Sequence, residues 1–411
     1  MIKEIQINNF KSWQELDLKL SPITGLFGPN SSGKSSLLQF LLMLKQTKET
    51  MDRSLALDFG SLKTYTNLGT FRDVIYSHDI EDALKWRITW ELTQELEIID
   101  PLASRNTVLF QGKEMSLFSS VAMRSQQPST NVIRYTFNDQ KFSLVRQKSK
   151  STSFSLKTEG SNEQFRFIRN QGRAWDIPGP IKSYAFPDQA KTYFQNAGLL
   201  GELEFSYEAL MDRIFYLGPL REYPKREYIW SGSSPWDVGP RGERVVDALL
   251  AAKARNELRS LGYRKKRKPF EEIIAHWLKE LGLISEFQVV EIAEDSNLYK
   301  VQIKRDAHSA PVLITDVGFG LSQFLPVLVL LYYVPEHSIV LLEQPEIHLH
   351  PAVQSGLGDV IINAVQTRNI QVIVESHSEH LLRRLQRRVA EEEIQHTDIS
   401  LYFSQTKSGR S

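Results

Sequence analysis

Ile23-Thr24-Gly25-Leu26-Phe27-Gly28-Pro29-Asn30-Ser31-Ser32-Gly33-Lys34-Ser35-Ser36 is the stretch on which the fold turns. Gly28, Gly33, Lys34 and Ser35 meet the spacing of a phosphate-binding loop, Gly-x4-Gly-Lys-Ser. The apolar run Ile23 to Phe27 before it reads as a buried strand. Ser36-Leu-Leu-Gln-Phe-Leu-Leu-Met-Leu44 after it reads as a buried helix, which completes the strand–loop–helix context that the motif requires. Glycines let successive backbone N–H groups curl around a phosphate, and the helix N-terminus adds its partial positive charge. In such a loop Lys34 bridges the β- and γ-phosphates and Ser35 ligates Mg²⁺, with Gly28, Asn30, Ser31, Ser32, Gly33 and Ser36 completing the cradle. The bland alternative, a glycine turn ahead of a core helix, leaves the agreement of motif and flanks unexplained. A bound nucleoside triphosphate is therefore expected.

Composition narrows the rest. A chain of 411 residues, 41% apolar and 24% charged, can bury one large core or two smaller ones without covalent staples. It has no cysteine, which excludes disulfides, thiolate metal sites and cysteine nucleophiles and suits a reducing cytoplasm. The longest apolar run, Phe324 to Val334, is too short to span a bilayer, and the N-terminus lacks the layout of a signal peptide, so a cytoplasmic protein without membrane contact is expected. A net charge of +1 provides no global field for nucleic acid, so any DNA contact must come from local basic patches.

Upstream of the loop, Ile2, Ile5 and Ile7, then Asn8-Asn-Phe-Lys-Ser12, then Leu16, Leu18 and Leu20 predict a β-hairpin. The order strand, Asn-Phe-Lys-Ser, strand, Pro29-Asn-Ser-Ser-Gly-Lys-Ser-Ser36 resembles the opening of the RecF, SMC and overcoming-lysogenization-defect (OLD) ATPases, the DNA-associated branch of the ABC-type ATPases. Asp58 to Asp73, with two glycine turns, falls where that family keeps its glutamine loop, although no residue there is assigned as the sensing glutamine. Residues 84–215 alternate in short stretches such as Trp86-Arg-Ile-Thr-Trp-Glu-Leu92 and Val132-Ile-Arg-Tyr-Thr-Phe137, predicting a β-rich insertion. Sustained heptads are missing, and with them the long coiled-coil arms of SMC-type proteins. In the loops that follow, Arg221 or Arg226 could touch phosphate, but a structural ion pair is the favoured reading and neither is counted in the site. Val245 to Leu261 and Phe270 to Leu281 show helical periodicity, with Arg264-Lys-Lys-Arg-Lys268 between them as either a solvated loop or a nucleic-acid contact.

The resemblance resumes near the C-terminus. Thr315-Asp-Val-Gly-Phe-Gly-Leu-Ser-Gln323 sits where relatives carry the signature loop, which in the family closes over the γ-phosphate held by a second subunit. Gly318, Gly320 and Ser322 are the expected donors; a plain helix entry is the alternative. Ser338-Ile-Val-Leu-Leu-Glu-Gln-Pro-Glu346 has the form of a Walker B strand but departs from the family at both acids. Glu343 takes the magnesium-side position, one methylene longer than the usual Asp, and Gln344 stands where the family keeps its general base. Glutamine can orient a water but cannot accept its proton, so slow hydrolysis is expected, since general-base help is worth about a hundredfold to ten-thousandfold. Glu346, His348 and His350 alternate, as an extended metal-binding face would, but Pro345-Glu-Ile-His-Leu-His-Pro351 resembles the loop after Walker B, implying interface and γ-phosphate-sensing roles for the histidines. Glu375-Ser-His-Ser378, at the end of an apolar strand, resembles the switch-histidine loop: His377 is expected at the γ-phosphate, with Glu375 as the best alternative carboxylate. In the helix beyond, Arg383, Arg384, Arg387 and Arg388 are read as solvated and paired with Glu391 and Glu392.

The implied architecture is α/β, a P-loop NTPase of the ABC type. Residues 1–77 and 307–411 form the nucleotide-binding domain, and a β-rich and helical insertion, 78–306, splits it. The resemblance points to OLD-like AAA-type ATPases, some of which serve antiphage defence beside a nuclease. It implies ATP and Mg²⁺ as cofactors, a homodimer or higher even oligomer closed around ATP, and an effector or nuclease partner acting on DNA. A non-hydrolysing, ATP-clamped scaffold is the second reading. Relatives continue beyond the last strand into a further small domain, which a chain stopping at Ser411 is expected to lack. Toprim-type Asp-x-Asp, His-Asn-His and Asn-Lys-x-Asp patterns do not occur, which argues against nuclease and GTPase activities of its own.

Overall fold

The computed structural model describes residues 1–405 except 104–106, 148–151, 161–164, 173–174, 263 and 295. The last residues of the chain, and the expectation about where it stops, lie outside the described part. Two compact units form: Met1–Leu20 with Asn30–Asp212, and Ser21–Pro29 with Arg213–Ser404.

The first unit is built on a seven-stranded antiparallel sheet, in the order Trp13–Lys19, Ile2–Phe10, Leu84–Ile99, Val108–Arg124, Gln127–Phe137, Gln140–Arg146, Phe154–Glu159. The predicted opening hairpin is its first pair, and the predicted β-rich run supplies the rest. Alternation does the work: Ile2, Ile5, Ile7 and Phe10 point inward while their neighbours stay wet. Helix Lys34–Glu49 contains no β-branched run, is rich in Leu, and buries Leu37, Leu38, Phe40, Leu41, Leu42 and Leu44. It packs on this sheet through Phe40, whose ring meets Phe10 edge-on at 5.3 Å and Trp86 at 5.9 Å.

The second unit carries a five-stranded, wholly parallel sheet in the order Ile399–Phe403, Ile23–Phe27, Gln371–Glu375, Ile339–Glu343, Ile214–Leu217. Its central strands read as unbroken apolar runs because both faces are covered, and one core joins them to helices Phe319–Tyr333, Pro351–Arg368 and Glu379–Ala390. Ile214–Leu217, which the sequence groups with the β-rich middle, is buried at all four positions and takes the sheet's edge instead. Helices Val245–Ala254 and Phe270–Glu280 join the same core, and between them Leu258–Arg259 pairs with Lys268–Pro269, so Arg264 to Lys268 lie exposed on the far end of a short ribbon. Among the described residues no helix is long and apolar enough to cross a membrane.

Candidate functional site

Parallel pairing brings three strand ends to one edge. Glu343 stands opposite Glu375, and Glu375 stands opposite Leu26, two residues before Gly28. This carboxyl edge is where open α/β sheets bind ligands, because loops leave it in diverging directions. Gly28 has φ +136°, and a Cβ there would strike the Ser404 carbonyl oxygen, so only glycine fits the exit of strand Ile23–Phe27. Ser376 N–H donates to the Leu26 carbonyl at 3.0 Å and Ser404 N–H to that of Phe27 at 2.8 Å, locking the strand end from both sides.

The remainder of the phosphate loop lies in the first unit. Ser31 at φ +59° and Gly33 at φ +85° turn the backbone, and Lys34 opens the helix. Lys34 is buried, with Nζ 3.4 Å from Ser32 Oγ; Ser32 and Ser36 are also buried, Ser35 is partly exposed, and Asn30 and Ser31 face solvent.

Around the acidic edge, side chains from sequence-distant elements converge. The Tyr216 hydroxyl donates to Glu343 Oε2 at 2.6 Å, and burial, then the Glu343 charge, raises its pKa so that it stays a donor. Gln344 takes φ +44°, and its N–H donates to the Glu375 carbonyl at 2.8 Å. Arg221, 4% exposed, donates to the carbonyl oxygens of Gln323 at 3.1 Å and Gln344 at 3.3 Å; burial pulls its pKa down to about 10, with Glu346 opposing. Arg221 is therefore not in the expected ion pair: it ties helix Phe319–Tyr333 to the residue that follows strand Ile339–Glu343. Arg226 does pair, with Asp316 at 2.8 Å.

The loop after Gln344 is a turn rather than an extended segment. Gln344 and His348 both adopt positive φ, which sends Glu346 into the interior and leaves His348 and His350 exposed. Glu346 Oε1 accepts the His377 N–H at 2.7 Å, and His350 Nδ1 caps helix Pro351–Arg368 by accepting from Ala352 N–H at 3.3 Å. The alternating metal face does not form, and among the described residues no group of three or more His, Cys, Asp or Glu is placed to hold a metal ion. His377 itself is exposed beside buried Ser376 and Ser378, whose hydroxyl caps the following helix. In the signature stretch Gly318 is exposed at the start of helix Phe319–Tyr333, Gly320 fits closely against the His348 carbonyl, and Ser322 and Gln323 are buried. Sequence reasoning left out Tyr216, Arg221 and Glu346 from its site; a tyrosine closing a buried strand and an arginine five residues on, Tyr216-Leu-Gly-Pro-Leu-Arg221, were the available signal.

A family profile described as "AAA domain, putative AbiEii toxin, Type IV TA system" matches residues 130–383. The chain belongs to this family. A second profile, for an AAA ATPase domain, matches residues 1–179 of the AAA-domain protein, so the expected α/β P-loop NTPase class holds. The OLD nuclease of Thermus scotoductus is 41% identical over 39 residues, which is 10% of this AAA-domain protein and only 7% of the nuclease's own length. Among solved structures, an SMC head bound to the C-terminal winged-helix domain of ScpA aligns over 93% of this chain and 92% of its own at 11% identity and TM-score 0.44. The SMC head of Thermotoga maritima aligns over 93% and 91% at 11% identity and TM-score 0.39.

Proposed function

We propose that this protein binds ATP·Mg²⁺ through Gly28 to Ser36, hydrolyses it slowly, and uses a nucleotide-closed homodimer to control an effector that acts on DNA. The observation that carries the reading is the carboxyl edge of the parallel sheet, where Gly28 leaves the strand beside the in-register pair Glu343 and Glu375. Ser35 and Glu343 are hard oxygen donors of the kind Mg²⁺ takes, and one carboxylate with phosphate oxygens is a usual share for that ion. Bound Mg²⁺ neutralises charge on the phosphate oxygens. Lys34 holds the β- and γ-phosphates and Gln344 orients the water; the proton must leave by another route, for which the buried Glu375 carboxylate is the nearest acid in register. Exposed Gly318, partly buried Gly320 and exposed His377 are assigned to the γ-phosphate, the signature across the dimer.

The nuclease named in the OLD match supports a nucleic-acid-directed effector, and Arg264 to Lys268 offers five exposed adjacent cations as a local phosphate contact. The second reading, a non-hydrolysing ATP clamp for an effector scaffold, is favoured by Gln344 alone. Turnover of ATP by the wild type, Lys34→Ala and Gln344→Glu separates the two. Slow wild-type turnover, lost in Lys34→Ala and raised tenfold or more in Gln344→Glu, is expected. A silent wild type with a gain in Gln344→Glu would leave only the clamp, and turnover that survives Lys34→Ala would remove the site.

A further inference from the structure

Glu343 is a longer acid than an aspartate in the same place, and the extra methylene adds a rotatable bond between backbone and carboxylate. An acid that must present one oxygen to a small, geometrically demanding cation gains from having that freedom removed. The neighbouring strand does this. Leu341 pairs with Tyr216 and Leu342 with Leu217, so Tyr216 lies two residues back from the acid on the adjacent strand, with its ring buried and its hydroxyl 2.6 Å from Glu343 Oε2. At that length the bond is of the charge-assisted kind, roughly twice as strong as a neutral one. It occupies one carboxylate oxygen and leaves Oε1 as the free donor.

We infer that Tyr216 is a positioning residue: it pins the Glu343 carboxylate so that a single oxygen, Oε1, serves the divalent cation, and so makes glutamate usable at this position. The inference rests on the ATP·Mg²⁺ reading above. The competing account is a tyrosine that merely satisfies a half-buried acid, which would affect folding and not the cation. Phenylalanine keeps the ring and half-buried Glu343 keeps access to water, so Tyr216→Phe should fold.

The test measures, on the full chain, the Mg²⁺ concentration that gives half-maximal binding of a fluorescent ATP analogue, the analogue's affinity in EDTA, and the melting temperature without nucleotide. Tyr216→Phe is expected to raise the Mg²⁺ midpoint about tenfold or more, leaving EDTA affinity and melting temperature near the wild type. In a Glu343→Asp background the shorter acid no longer reaches the hydroxyl, so adding Tyr216→Phe should move the midpoint less than about twofold. An unmoved midpoint in Tyr216→Phe, with Mg²⁺-dependent binding intact in the wild type, overturns this inference alone, as does an equal shift in both backgrounds. A wild type whose ATP binding ignores Mg²⁺ overturns the ATP·Mg²⁺ reading and this inference together.

Discussion

Gln344 and Gly28 are held in backbone conformations that their surroundings impose. Gln344 sits at φ +44° without being glycine, a conformation that costs on the order of 1 kcal/mol and persists only when neighbours over-determine it. Here the Glu375 carbonyl accepts its N–H and the Arg221 guanidinium donates to its C=O, so backbone bonds on both sides hold the residue beside the end of strand Ile339–Glu343. Gly28 is the simpler case, because no side chain fits between it and the Ser404 carbonyl. Gly28→Ala is expected to destabilise the nucleotide-free protein by at least about 2 kcal/mol, from positive-φ strain plus the displaced strand end. Urea unfolding checks this, and an unchanged midpoint would mean that the strand end gives way more easily than its two locking bonds imply.

Among the elements, the strands that carry motifs were legible because each is an unbroken apolar run with a chemical signature at its end. Ile214–Leu217 was not, because four apolar residues fix no partner and parallel pairing is set by chain far away: Tyr216 and Glu343 are 127 residues apart. The Glu346, His348, His350 alternation misled for a local reason. A period of two implies a shared face only in extended backbone, and two positive-φ residues without glycine leave no mark in the sequence. The helix Glu379–Ala390 was read correctly on its apolar side and incompletely on its charged one. Arg387 and Arg388 do meet Glu391, but Arg384 and Arg388 also converge on Asp359 of helix Pro351–Arg368, at 2.5 and 2.7 Å. Burial raises the Asp359 pKa, and the bonds from the two arginines outweigh it, leaving the carboxyl below its ordinary value of 3.8. A depressed folded pKa contributes stability above the unfolded value and loses it as pH falls through the folded one. Asp359→Asn should therefore cost roughly 1–2 kcal/mol at pH 7, with the gap from wild type flat down to about pH 5 and closing below pH 4. A gap independent of pH would assign the cost to packing.

For the whole molecule, the loop Gly28 to Ser36 belongs to a chain that presents Gly318 at an exposed helix start and in which Gln344 directly follows strand Ile339–Glu343. If the signature of one copy closes over ATP held by another, the lifetime of the pair is set by how fast the γ-phosphate is lost, because ATP then bridges the copies. Slow chemistry makes a long-lived dimer. With ATP and Mg²⁺ the wild type is expected to run at twice the mass of the single chain by light scattering and to persist in that form. Gln344→Glu should form the same dimer and lose it as ATP is consumed, and Lys34→Ala should remain single throughout. A wild type that stays monomeric while binding ATP tightly would confine the nucleotide to one chain and remove the role assigned to Gly318 and Gly320. A dimer equally stable without nucleotide would leave that interface to the protein surfaces alone.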